Sequence, residues 1–190
     1  MLWRLFTSLA SYLALGNITV MKYLAILLIM FSSFSSQADI GVFVSGGQVT
    51  GKLATQASRH GIVWRSETAI WHHKDNPITW EVEAAYSHWN NQYFPAIDVI
   101  SITPVFHYNF QLFNLDAYAG GGIGVAKLSG DQLSSRDLGS ELLFDDKLVF
   151  GVNWQQTHRL SIAWHHYSNA NLASSNDGSS FIYAAYSFFF

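Results

Sequence analysis

Segments of about ten residues alternate apolar and polar side chains, an export-type leader precedes them, and aromatic residues make up 16% of the chain. Together these predict an all-β fold: an eight-stranded antiparallel transmembrane β-barrel of the bacterial outer membrane, its interior filled by side chains. Period-two alternation puts one set of side chains on each face of a strand. A soluble sandwich also alternates. The 14 Phe, 9 Tyr and 7 Trp favour the barrel, because aromatic girdles at two membrane interfaces account for so many rings.

The leader comes first. Met21-Lys22 is followed by an apolar run from Tyr23 to Phe31 and then small and polar residues ending Ser36-Gln37-Ala38. This is the n-region, h-region and cleavage site of a signal peptide. Residues 1–38 are therefore expected to be a signal peptide region, with Met21 the true start and cleavage after Ala38. Residues 39–190 are expected to be the barrel. Without Arg4 and Lys22 the mature chain has 8 basic and 13 acidic residues, a net charge of about −5. No basic patch offers itself to nucleic acid. With no cysteine, disulfides and thiolate metal sites are excluded.

The strands are expected at 40–48, 59–72, 78–90, 97–110, 112–127, 140–154, 157–170 and 179–190. In the third, Trp80, Val82, Ala84 and Tyr86 alternate with Glu81 and Glu83. In the sixth, Leu148, Phe150, Val152 and Trp154 share a face opposite Lys147 and Asn153. The last ends Ile182, Ala184, Tyr186, Phe188, Phe190 on one face, with the final aromatic such a barrel is expected to have. Arg65, Glu67, Glu81, Glu83, Asp145, Lys147 and Arg159 take the inner face. Charges of both signs there predict a plugged lumen and argue against a small porin. With both chain ends in the periplasm, the seventh strand runs outward and the 171–178 loop is extracellular.

One strip of that strand carries chemistry. In His166-Tyr167-Ser168-Asn169-Ala170 the histidine and serine share a side with Leu160, Ile162 and Trp164, a face that meets lipid at the depth of the outer leaflet. A serine hydroxyl is a weak nucleophile until a base takes its proton, and a neighbouring imidazole is the usual base. The adjacent pairs His165-His166, His72-His73 and Asp145-Asp146 point to opposite faces and chelate nothing together. Gly120-Gly121-Gly122-Ile123-Gly124 lacks the lysine and helix of a phosphate loop and reads as close packing within a strand.

The strip together with Asn176-Asp177-Gly178 resembles the outer-membrane lipid A 3-O-deacylase family. Pro104-Val105-Phe106, the run Gly121 to Ala126, Leu138-Gly139-Ser140 and Phe144-Asp145-Asp146 extend the likeness over the mature chain. The resemblance implies a serine esterase that removes the ester-linked 3-O primary acyl chain from lipid A of lipopolysaccharide, with no metal or other cofactor. It also allows a homodimer. Carried over, Ser168 is the nucleophile and His166 the general base, while Asn169, through its backbone N–H, and Asn176 serve or shape the oxyanion hole. The family's triad glutamate falls at Ser180. If the turn at 155–157 pairs Trp154 with His158, Asp146 lies opposite His166 and is a candidate substitute acid. Asp177 in the following loop is another. The alternative is a catalytically silent structural or lipopolysaccharide-binding barrel that has lost its acid.

Overall fold

The computed structural model describes residues 38–50, 55–66, 68–91 and 93–190. The leader and the Met21 start lie outside them. Ala38, the expected cleavage point, pairs with Ser66 at the start of the first strand. Eight long strands form the barrel wall: β1 (Ala38–Val49), β2 (Thr55–Ser66), β3 (Asn76–Asn91), β4 (Phe94–Leu112), β5 (Leu115–Leu128), β6 (Leu142–Trp154), β7 (His158–Ser168) and β8 (Ser179–Phe189). Each pairs antiparallel with its neighbours in sequence. The β1–β8 ladder, with Val42 opposite Phe188, closes the ring and removes the sheet edges.

Most strand ends fall within about three residues of expectation, and two differences stand out. The second strand spans 55–66 rather than 59–72, and Trp71–His73 pairs separately with the start of β3. Glu67 lies outside the described residues. The seventh strand stops at Ser168 rather than 170, because Ala170 and Asn171 adopt positive φ. Their turn is closed by the Leu172 N–H donating to the Asn169 carbonyl at 3.0 Å.

The two ends of the barrel differ. At one, tight turns at 74–75, 113–114 and 155–157 join adjacent strands, with Lys74, Phe113, Asn114, Gln155 and Gln156 at positive φ. At the other, residues 129–141 and 169–178 form long loops. Short turns mark the periplasmic side of such barrels and long loops the outside. The long-loop end therefore faces out.

Large apolar side chains cover the wall: Ile62, Ile100, Ile123, Leu148, Ile162 and Ile182 are all exposed. The lumen holds the charges. Arg59 Nη1 donates to Glu83 at 3.0 Å and Lys147 to the same carboxylate, while Arg159 Nη1 meets Glu81 at 2.7 Å. Asp145 accepts from His165 and from the Thr103 hydroxyl, both at 2.7 Å. The inward assignment of Glu81, Glu83, Asp145, Lys147 and Arg159 holds. Arg59, His107 and His165 join them, His165 as alternation with the outward His166 requires. Nearer the outer mouth, Trp89, Tyr167, Phe181 and Tyr183 fill the barrel, with the Trp89 and Phe181 rings stacked 4.5 Å apart. The lumen is plugged.

Glycines let the wall close tightly. A Cβ on Gly122 would stand 1.9 Å from the Pro104 carbonyl oxygen, so the 120–124 run serves the close approach of β4 and β5.

Candidate active site

β7 presents Trp164, His166 and Ser168 to the outside while His165 and Tyr167 are buried in the lumen. The Trp164 and His166 rings stack at 5.7 Å and 8°. This indole fixes one face of the imidazole. Across the ladder, His166 lies opposite Ser180 on β8 and opposite Asp146 on β6. Trp154 is paired with His158, so the register expected from the 155–157 turn is present.

The imidazole makes one choice between its two neighbours. His166 Nδ1 lies 2.8 Å from Ser180 Oγ. Asp146 makes no hydrogen bond or ion pair among the described residues. It lines an open trough on the wall with Phe106, Gly121, Ile123, Leu148 and Trp164. The substitute-acid role expected of Asp146 therefore lacks its contact, although the strand register is right for it. Asp177 is engaged elsewhere: its Oδ2 accepts from the Asp137 N–H at 2.8 Å and its own N–H donates to the Asp137 carbonyl at 3.0 Å.

Ser168 is the last residue of β7. It pairs with Phe144 on β6 and has no partner on β8, whose ladder ends at Tyr167 and Ser179. The serine thus stands where the wall opens toward the 169–178 loop. Gly178 closes that loop against the His166 ring. Its φ is +57, and a Cβ there would stand 3.0 Å from His166 Cε1 and 3.3 Å from Nε2. Only glycine takes this conformation without cost and leaves the Nε2 edge uncrowded.

The two asparagines are linked. The Asn169 N–H donates to Asn176 Oδ1 at 3.0 Å, and Asn176 Nδ2 donates to Asn171 Oδ1 at 3.2 Å. The Asn169 side chain is buried. Its Nδ2 donates to the carbonyls of Leu138 at 2.8 Å and Ser175 at 2.6 Å. Asn169 is therefore a structural tie through its amide and a potential donor through its backbone. The carbonyl of Leu138 belongs to Leu138-Gly139-Ser140, whose glycine, at φ +70, approaches Ser175 so closely that a Cβ would lie 1.9 Å from its oxygen. Leu138-Gly139-Ser140, part of the family likeness, thus sits at the contact between the two long loops. Arg136, whose Nη1 donates to the Gly178 carbonyl at 2.8 Å, had no signal in the sequence.

A neutral imidazole donating Nδ1–H to Ser180 keeps its Nε2 lone pair for a proton. Such a base sits two residues from a hydroxyl on the same outward face, with an asparagine N–H one residue further. Residues 53–189 match the family model described as lipid A 3-O-deacylase (PagL). The chain belongs to this family. It is 31% identical over 121 residues to lipid A deacylase PagL of Pseudomonas aeruginosa, covering 63% of this chain and 70% of that protein. The crystal structure of the outer membrane enzyme PagL superposes with a TM-score of 0.72 at 27% identity, over 78% of this chain and 98% of the other. Neisserial surface protein A, at 14% identity and TM-score 0.52 over 80% of this chain and 97% of the other, shares the fold. The deacylase family member described here is thus an outer-membrane barrel.

An apolar groove of about 340 Å³ lies beside the site, lined by Val125, Leu142, Leu143, Phe144, Leu172 and Ala173, with Ser140 and Asn169 at its polar edge. Trp164 lines the trough and Leu172 this groove.

Proposed function

We propose that this protein is a serine esterase that removes the 3-O-linked primary acyl chain from lipid A in the outer leaflet. Ser168 attacks the ester carbonyl while His166 Nε2 takes its proton. The tetrahedral intermediate expels the sugar hydroxyl, which leaves with that proton, and water then hydrolyses the acyl-enzyme by the same route. The observation that carries this reading is the His166 Nδ1 to Ser180 Oγ bond. It holds the imidazole with Nε2 available on the face that bears Ser168.

The oxyanion needs donors aimed at the developing charge. The Asn169 N–H is the nearest backbone donor after the nucleophile, and Asn176 Oδ1 occupies it in this structure. Rotation of the Asn176 amide would release the N–H and turn Nδ2 toward the same place. The acyl chain has an apolar bed next to Phe144, the residue opposite Ser168.

Ser180 favours a second reading, a barrel that binds lipopolysaccharide without cleaving it. A hydroxyl accepts the Nδ1 proton but does not stabilise an imidazolium as a carboxylate does, a loss worth up to about 10⁴ in rate. Mass spectrometry of lipid A from cells expressing the wild type and Ser168→Ala separates the two. Loss of one hydroxyacyl chain with the wild type alone is the expected result. Unchanged lipid A with both, while the protein is folded in the membrane, sides with the silent barrel.

A further inference from the structure

Among the described residues, the cations are almost all spoken for. Arg59, Arg65, Lys127, Lys147 and Arg159 each have a carboxylate within an ion-pair distance. Lys74 lies in a turn at the opposite end. Among the described residues, Arg136 is the one outer-end Lys or Arg with no carboxylate within 4.0 Å. Its sole hydrogen bond there runs from Nη1 to the Gly178 carbonyl at 2.8 Å. Nε and Nη2 have no protein acceptor among those residues, and the side chain is half-buried rather than free in solvent.

This guanidinium is also held in place. Asp137, next along, is tied to the 175–178 loop by the Asp177 N–H, the Asp177 carboxylate and the Ser175 hydroxyl. The Asp177 carboxylate accepts from the Asp137 N–H and the Asp137 carboxylate from the Gly139 N–H, so both are engaged with backbone rather than with Arg136. Gly178 touches both partners: its carbonyl takes the arginine and its Cα packs on the His166 edge. Arg136 and His166 thus both abut Gly178.

We propose that Arg136 binds a phosphate ester of the lipid headgroup and so sets the sugar relative to His166 and Ser168. The inference rests on the deacylase reading above, whose substrate is a phosphorylated glucosamine lipid. A fork of unpaired guanidinium N–H groups matches two phosphate oxygens, and such charge-assisted pairs are about twice as strong as neutral ones. The anionic headgroup otherwise meets a chain whose net charge is negative. Arg136 is a binding and specificity residue; proton transfer stays with His166.

The test uses full-length Ser168→Ala in lipid vesicles, so that binding is read without hydrolysis. Vesicles containing phosphorylated lipid A are compared with vesicles containing the same lipid A stripped of phosphate. With Arg136 present, the phosphorylated lipid should bind about tenfold more tightly. Arg136→Gln should erase that preference, and Arg136→Lys should keep part of it. Inorganic phosphate added alone should not displace the lipid. A preference that survives Arg136→Gln overturns the proposal, as does an equal loss on both lipids, which marks a strut for Gly178 only. Displacement by inorganic phosphate overturns the lipid assignment. Retained heat-modifiable gel mobility certifies that each variant is folded. Hydrolysis by the wild type is scored separately, so an inactive enzyme sinks the esterase reading and leaves this result standing.

Discussion

At the scale of single residues, the proposed esterase chemistry turns on Ser180. Its Oγ lies 2.8 Å from His166 Nδ1, and when the hydroxyl accepts the Nδ1 proton the ring keeps a basic Nε2. It contributes no negative charge when that ring becomes an imidazolium. Replacing it by a carboxylate restores the missing charge at the same nitrogen. Ser180→Glu is therefore expected to raise kcat on lipid A by at least about tenfold, within the ~10⁴ span that a triad acid commands. Ser180→Ala should lower it, since the tautomer is no longer held. Both are read by single-turnover assays on purified lipid A. No gain from Ser180→Glu would mean that the imidazolium is stabilised by another group. Much of this was legible beforehand: His166, Ser168 and Ser180 share an outward parity that strict alternation fixes. The choice of Ser180 over Asp146 was not, because both flank His166 in register and only side-chain rotamers distinguish them. Arg136 was illegible for another reason. It sits between two long-loop segments whose pairing follows no period.

At the scale of elements, the site is a seam between β7, β8 and the loop that joins them. Ser168 ends one strand, Ser180 is the second residue of the next, and Gly178 folds the intervening chain back on the imidazole. Gly178→Ala puts a methyl group at a position with φ +57 and 3.0 Å from His166 Cε1. The left-handed backbone alone costs about 1–2 kcal/mol. The loop must shift or the ring must turn from Ser180, and either change moves Nε2. The expected result is a kcat at least about tenfold lower, with the protein still folded by gel mobility. Equal kcat would mean that the loop relaxes without disturbing the base. The ladders were readable from alternation because each face of a strand has a distinct solvent, lipid outside and packed polar groups inside. The ends of β2 and β7 were not. The chain leaves β7 through Ala170 and Asn171 at positive φ, a conformation that alanine rarely signals.

At the scale of the whole molecule, the wall that offers His166 and Ser168 to lipid must stay rigid around a charged lumen. Glu83 is central to it, accepting from Arg59 at 3.0 Å and from Lys147, with Glu81 holding Arg159 in the next layer. Lys147 and Asp145 alternate along β6 with Asp146 and Leu148, so the lumen network and the outer site share one strand. Removing one partner of a buried pair leaves a charge without compensation and costs about 3–5 kcal/mol. Glu83→Gln strands Lys147 and leaves Arg59 only the longer 4.0 Å pair with Asp145, and should lower the unfolding free energy read by urea titration in vesicles by that order. Pairing it with Lys147→Met removes one stranded charge and should recover part of the loss. An outward control sets the scale: Lys127→Gln breaks the exposed pair with Glu141 and should change stability by less than about 1 kcal/mol. If Glu83→Gln were as mild as Lys127→Gln, water would have to reach the lumen cations. The plug would then be a hydrated one, and the rigidity of the site would have to come from the Trp89, Tyr167, Phe181 and Tyr183 cluster above it.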